Sequence, residues 1–450
     1  MAYLTRRQLL AASGAPFLAP PARPNILLIL TDQQTHTAVS ALGNPYLKTP
    51  AMDSLVHGGV SFMQATCPYP VCSPSRAGIF SGLYPHQAEV MQNGLAMKPG
   101  IATLGEHFRQ AGYRTVYGGK WHLYGKERGV VRGFDLITGE TALGARMDAP
   151  LASRCGEWLR QAPRDPFLMV ASFMNPHDIC QWIRDHKGSR TYRDVSLFPP
   201  APANMASDPL EPEYMLHHRT SGYELMSQGV GIASQWTPDD FRLYLHDYYR
   251  LVEDVDRNIA DLLRALNESG LAQNTLIAFA ADHGEGMGAH RWVQKAAFYE
   301  ESVRVPLVFS APFLPRRSQK DFTSLASLID IFPTFCDYAG VAPPPGLSGL
   351  SLRAAIESGQ PVNRLFAVSE QGNFGAPDRE GRMLRTLSHK YAVYNGGERP
   401  EMLFDLANDP GETRNLARME PASPLLKQCR TQLLAWARQH NDGFRFPYSS

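Results

Sequence analysis

Four stretches of the chain share one pattern, a short apolar run rich in branched side chains followed at once by a polar cluster. Asn25 to Leu30 runs into Thr31-Asp32-Gln33-Gln34, and Tyr113 to Tyr117 into Gly118-Gly119-Lys120-Trp121-His122. Phe167 to Phe173 leads to Asn175-Pro176-His177-Asp178, and Leu276 to Ala281 leads to Asp282-His283-Gly284-Glu285. Continuous apolar runs mark strands buried on both faces. The helical segments between them predict an α/β fold with a parallel, doubly wound sheet. The clearest helix is expected from about Pro238 to Leu266. Thr237 offers an N-cap, Pro238 suits the first turn, and Asp239 and Asp240 face the positive end of the helix dipole. Its apolar positions, from Phe241 through Tyr248 and Val255 to Leu266, recur at helical spacing and form a core-facing stripe. A shorter helix is expected around Leu104 to Gln110, stopped by Gly112.

Residues 181–236 break this rhythm, with Pro199, Pro200, Pro202, Pro209 and Pro212 among scattered charges. They read as an irregular excursion over the sheet edge that could cover a substrate. Pro343-Pro344-Pro345-Gly346 marks the approach to a second unit. Beyond it come short strands, including Met383 to Thr386 and Tyr391 to Tyr394, and a closing helix near Leu425 to Gln439. The expected organisation is a leader over 1–22, a catalytic domain over 23–360 holding the 181–236 insertion, and a smaller C-terminal domain over 361–450.

Composition narrows the functional classes. The 450 residues carry 44 Lys+Arg against 43 Asp+Glu, a formal net charge of +1. With no global field, nucleic acid is excluded as a partner, and any charge selectivity has to be local. No apolar run reaches the roughly 20 residues of a spanning helix, so stable membrane insertion is not expected. Thr5-Arg6-Arg7-Gln8-Leu9-Leu10 followed by a weakly apolar stretch reads as a twin-arginine export signal. It implies the twin-arginine translocase as a partner and a periplasmic or secreted location; a chance arginine pair on a frayed terminus is the plain alternative. Six cysteines in so long a chain do not make a disulfide scaffold, and buried free thiols are the default for most.

In open parallel sheets ligands sit beyond the carboxyl ends of the strands, where every polar cluster above falls. Neighbouring strands would bring Asp32 and Asp282 to one rim, with Gln33 and His283 beside them. Two carboxylates, an amide oxygen and an imidazole suit a divalent cation. Hard oxygen ligands favour Ca²⁺, which takes about six to eight oxygens, or Mg²⁺; the imidazole keeps Mn²⁺ in play. Each Asp alone would more often be a helix cap or turn former. A second feature is Cys72-Ser73-Pro74-Ser75-Arg76, which opens a short helix stopped by Gly82. A helix N-terminus presents free N–H groups to an anion, and Arg76 adds a planar fork suited to tetrahedral oxyanions. By its chemistry Cys72 is either a low-pKa nucleophile or an inert packed thiol.

The string Cys72-x-Pro74-x-Arg76 resembles the modification motif of type I sulfatases, in which the cysteine is oxidised to formylglycine. Further motifs resemble that family in order: Thr31-Asp32-Gln33, Gly119-Lys120-Trp121-His122, Asn175-Pro176-His177, Asp282-His283-Gly284-Glu285, and Lys295 ahead of Tyr299-Glu300-Glu301-Ser302-Val303-Arg304-Val305-Pro306. Leu403-Phe404-Asp405-Leu406 and Asp409-Pro410-x-Glu412-x-x-Asn415-Leu416 resemble its C-terminal signature. The likeness spans about residues 23 to 417. It implies the alkaline phosphatase superfamily fold, with a large, mixed, mainly parallel sheet sandwiched by helices and a smaller C-terminal α+β domain with an antiparallel sheet.

The resemblance also implies roles. Asp32, Gln33, Asp282 and His283 would hold the metal, which polarises a sulfate oxygen. Hydrated formylglycine at Cys72 would attack sulfur and expel the substrate alcohol, protonated by His177 or Lys295. His122 would then take the proton of the second hydroxyl so that the C–O bond breaks and the aldehyde returns. Arg76 and Lys120 would orient the modified residue and offset negative charge. A formylglycine-generating or maturase enzyme and a sulfated small molecule or glycan are the implied partners.

Many family members carry Asp where this chain has Gln33 and Asn where it has His283. The Gln/His pair also resembles phosphonate monoester and phosphodiester hydrolases of the same superfamily, while the leader and the segment Asp282 to His290 favour sulfated carbohydrates. Choline or aryl sulfates are further substrate options. A non-catalytic glycan-binding relative is disfavoured by the complete set Arg76, Lys120, His122, His177 and Lys295. Trp182, His217, His218 and Arg382 are the candidates for substrate specificity.

Overall fold

The computed structural model describes residues 23–124, 129–141, 143–161, 165–186, 193–220, 231–372 and 380–448. The arginine-pair leader and parts of the 181–236 excursion lie outside the described residues. The larger sheet has eight strands: β1 (Asn25–Asp32), β2 (Gly59–Phe62), β3 (Arg114–Gly119), β4 (Asp135–Thr138), β5 (Phe167–Pro176), β6 (Thr275–Ala281), β7 (Leu307–Ser310) and β8 (Gln319–Asp321). Their order is β4-β3-β5-β1-β6-β7-β2-β8. The four apolar runs read from the sequence are β1, β3, β5 and β6, the centre of the sheet. β1, β5 and β6 are buried along their whole lengths.

The sheet is mixed. β7 runs antiparallel to both β6 and β2, whereas the other pairings are parallel. This corrects the all-parallel expectation from periodicity and agrees with the mixed sheet implied by the family. An unbroken apolar run reports burial on both faces and carries no information about strand direction.

The flanking helices are α1 (Pro50–His57), α2 (Cys72–Ser81), α3 (Leu104–Gln110), α4 (Gly144–Arg160), α5 (Ile179–Asp185), α6 (Glu213–Thr220), α7 (Pro238–Glu268), α8 (Ile331–Ala339) and α9 (Pro424–Gln439). Alternate residues of β1 face opposite layers, as the period of a strand requires. Leu27 and Ile29 join the core under α1, α4 and α7. Ile26, Leu28 and Leu30 join the core under α2, α3 and α8. α7 starts where the sequence predicts, with Thr237 and Asp240 forming a reciprocal capping box.

Beyond residue 365 lies a four-stranded antiparallel sheet of β9 (Ala367–Gln371), β10 (Gly381–Arg385), β11 (His389–Tyr394) and β12 (Glu401–Asp405), in the order β12-β11-β10-β9. Leu426, Cys429, Leu433 and Trp436 of α9 cover it. All six cysteines are buried free thiols. Among the described residues no helix is long and apolar enough to cross a membrane.

Candidate active site

Strand register assembles the site. β1 pairs Asp32 with Pro176 of β5 and Thr31 with Ala281 of β6, so His177 and Asp282 each emerge one residue past a strand end at the same rim. β3 pairs Gly119 with Ser172 of β5, which delivers Lys120 there too. Gly119 has a φ of +92°, and a Cβ on it would lie 2.0 Å from the Ser172 carbonyl oxygen. Only glycine permits that approach.

α2 points its N-terminus at the rim, and all ten of its residues are buried. Arg76 is fully buried and uses its fork as a clamp. Its Nε donates to Asp282 Oδ2 at 2.8 Å and its Nη2 to Asp32 Oδ2 at 3.0 Å. Nη1 donates to the Lys120 carbonyl at 2.6 Å and to Ser172 Oγ at 2.8 Å. Lys120 Nζ adds a 2.7 Å contact to Asp32 Oδ2. The outer oxygen of each carboxylate is therefore occupied; Asp32 Oδ1 turns toward Cys72, while Asp282 Oδ1 accepts from the backbone N–H groups of Gln33 and His283 and lies 3.7 Å from His283 Nε2.

Cys72 Sγ lies 3.7 Å from Asp32 Oδ1, 3.2 Å from His283 Nε2, 3.1 Å from Lys295 Nζ and 3.6 Å from Lys120 Nζ. Burial would raise this thiol, but Lys120, Lys295 and His283 hold it well below the usual range. Burial and the charge at Cys72 would raise Asp32; Lys120, His177 and Arg76 hold it well below the ordinary carboxylate range. Burial and the neighbouring Asp32 push Asp282 up to about 6. Three cations, Arg76, Lys120 and Lys295, thus stand among the carboxylates of one buried pocket in a nearly neutral protein, preorganised charge of the kind that can bind an oxyanion.

The donor set fits a divalent cation. One ligand atom from each of Asp32, Cys72, Asp282 and His283 falls within 4.8 Å of the others. His283 Nδ1 lies 2.9 Å from the Gly284 carbonyl. A carbonyl only accepts, so Nδ1 carries a hydrogen, and in the neutral imidazole Nε2 then has a lone pair to offer a cation. Gln33 joins from the same rim, with a φ of +67°. Its Oε1 accepts from Lys295 Nζ at 2.8 Å, and its Nε2 donates to Glu285 Oε2 at 2.6 Å.

His122 is among the groups that lower Cys72, and Cys72 among those that raise His177, so both histidines stand near position 72. Burial, then Lys120 and Lys295, push His177 down to about 4. All ten residues singled out from the sequence therefore gather at one rim. The residues that support them carry no motif of their own. Asp148 of α4 accepts from the backbone N–H groups of Met174 and Asn175 at 2.8 and 3.0 Å. In return Asp178 accepts from Gly144 and Ala145 at the start of α4. The two clamps fix the turn that carries His177. Asn93 accepts from Ser73 N at 2.9 Å, and Ser73 Oγ donates to the His122 carbonyl at 2.6 Å. Glu285 belongs to the Asp282-His283-Gly284-Glu285 motif, but only the fold shows its amide partner, Gln33.

The specificity candidates fare unevenly. Arg382 is buried and paired with Asp442 at 2.6 Å, with its guanidinium over Phe444, so it holds the C-terminal layers together. It is withdrawn as a substrate contact. His218 is buried and packs its ring against Tyr214 of α6 and Trp292. Trp182 stacks on His186 and donates to Asp247 at 2.8 Å. His217 lies beside His218 at a ring distance of 5.9 Å.

The sulfatase family model matches residues 24–341, and that of the N-sulphoglucosamine sulphohydrolase C-terminal region matches residues 288–439. The chain is 30% identical to the Delta 4,5-hexuronate-2-O-sulfatase of Bacteroides thetaiotaomicron, over 97% of this chain and 93% of that protein. It is 28% identical to the ulvan-active sulfatase of Formosa agariphila, over 88% and 77%. A solved 2-O GAG sulfatase superposes with a TM-score of 0.86 at 29% identity, covering 95% of each chain. The phosphonate monoester hydrolase of Agrobacterium radiobacter gives 0.79 at 25% identity, covering 93% and 96%.

Proposed function

The chain belongs to the sulfatase family and is a sulfuric ester hydrolase; from that premise we propose that it removes sulfate from sulfated carbohydrates. The nucleophile is a formylglycine formed from Cys72, and Cys72 Sγ marks the place of its hydrate oxygens. Such a residue supplies one hydroxyl to form the bond to sulfur and a second whose deprotonation releases sulfate. Asp32, Gln33, Asp282 and His283 hold the cation, which supplies Lewis acidity toward a sulfate oxygen. The observation that carries this reading is the division of labour around Arg76. Two cationic side chains occupy the outer carboxylate oxygens, while Asp32 Oδ1 and His283 Nε2 converge on position 72.

The remaining residues handle protons and orientation. His122 stands beside position 72 to accept the proton whose loss releases sulfate. Lys295, whose Nζ lies 3.1 Å from Cys72 Sγ, is the group that protonates the departing alcohol, with His177, whose imidazole its surroundings hold neutral, as the alternative donor. A maturation enzyme is required to oxidise Cys72, and the Arg6-Arg7 leader suits export of the enzyme already folded.

The relatives that act on hexuronate 2-O-sulfate and on ulvan direct the substrate choice to sulfated glycans. A panel of sulfated mono- and oligosaccharides, with aryl sulfate, choline sulfate and a phosphodiester as controls, tests it. Highest kcat/KM on a sulfated sugar, lost on chelation, supports the reading. Preference for the phosphodiester, or undiminished turnover after chelation, overturns it.

A further inference from the structure

Gln33 is an amide in a ligand position, and an amide has two unlike ends. Nothing in a free glutamine decides whether its oxygen or its nitrogen faces a cation. Here the choice is made from behind. Gln33, Glu285 and Tyr244 are all fully buried. Glu285 Oε1 accepts the Tyr244 hydroxyl of α7 at 2.5 Å and the backbone N–H of Gln294. Its Oε2 accepts Gln33 Nε2 at 2.6 Å. An ionised carboxylate, here already anchored by two other donors, can only accept, so the nitrogen of Gln33 faces it and Oε1 faces the pocket. On that side Lys295 Nζ donates to Oε1 at 2.8 Å, consistent with the same orientation. The Gln33 backbone is held as well, its carbonyl accepting from Tyr248 of α7 at 2.8 Å.

We propose that Glu285 is a positioning residue: anchored by Tyr244 and Gln294, it fixes the Gln33 amide so that this side chain offers an oxygen to the cation. This rests on the reading of Gln33 as a ligand. The pairing also explains why an amide suits position 33. A Glu there would set a second carboxylate against buried Glu285, which costs heavily unless one is neutralised. The two positions therefore form a unit in which one residue is the acid and the other the amide.

The test is cation binding to the apo-protein, with Ca²⁺ and Mn²⁺ titrated separately by calorimetry and folding followed by Tm and circular dichroism. Glu285→Gln lets the amide at 33 turn round, and second-shell losses of this kind weaken metal affinity by about 10- to 100-fold. Gln33→Glu alone binds no better than Glu285→Gln, whereas the exchanged pair, Gln33→Glu with Glu285→Gln, recovers affinity to within about threefold of the parent, because acid and amide have only traded places. Recovery by exchange is a result that general loss of packing cannot give. Unchanged affinity in Glu285→Gln while Gln33→Ala binds weakly overturns the positioning role alone. Parent-like affinity in Gln33→Ala, or no cation binding by the parent, overturns it together with the ligand reading.

Discussion

α7 and α2 are both helices packed on the larger sheet, and they are built for different ends. α7 places Phe241, Tyr248, Val255, Leu262 and Leu266 in one buried stripe and leaves its other side to water. It closes its own N-terminus with Thr237 and Asp240. α2 has no apolar stripe and no side-chain cap of its own, yet every residue is buried. Its first turn is served from outside by Asn93, Pro74 has no N–H to satisfy, and Arg76 spends its donors on two carboxylates, a carbonyl and a hydroxyl. A periodic helix is explained by packing. A buried helix without a period is explained by the chemistry at its end.

This contrast can be broken by substitution, and the largest effect is expected in α2. Arg76→Ala leaves buried Asp282 without its cation and Asp32 with Lys120 alone; it should lower stability by about 3–5 kcal/mol and kcat/KM by about 10³-fold, read by urea unfolding and steady-state kinetics. In α7, Leu262→Ala should cost about 2–5 kcal/mol in the same unfolding experiment and leave kcat of the folded enzyme unchanged. A fall in kcat to match would erase the distinction between the helices. Asp148→Asn cannot accept from both Met174 and Asn175. It should reduce kcat about tenfold on alkyl sulfates and far less on 4-nitrophenyl sulfate, whose alcohol leaves with little protonation. Equal losses on both substrates would detach Asp148 from His177. The smallest change is Thr237→Ala, which removes a cap worth about 1 kcal/mol and should shift Tm without altering turnover.

What the sequence disclosed follows the same division. β1, β3, β5 and β6 were legible because strands buried on both faces are long unbroken apolar runs, and the polar residues behind them marked the rim. β2, β4, β7 and β8 have only three or four residues each, too few to show a period, and strand direction leaves no mark on composition. Cys72, Arg76 and the paired acids were legible as motifs. Their supports were not: Asp148, Asn93 and Glu285 act through backbone amides or side-chain partners distant in the chain. Arg382 was misjudged because an arginine gives no sequence sign of whether its partner is a substrate or, as here, Asp442.

The account depends on the chemical state of position 72 in the working enzyme, and mass spectrometry of the peptide containing it, taken from an active preparation, tests that directly. The expected mass is about 18 Da below that of the cysteine form, as the aldehyde replaces the thiol, with the modified fraction tracking specific activity from batch to batch. A fully active preparation carrying only unmodified cysteine would contradict the account.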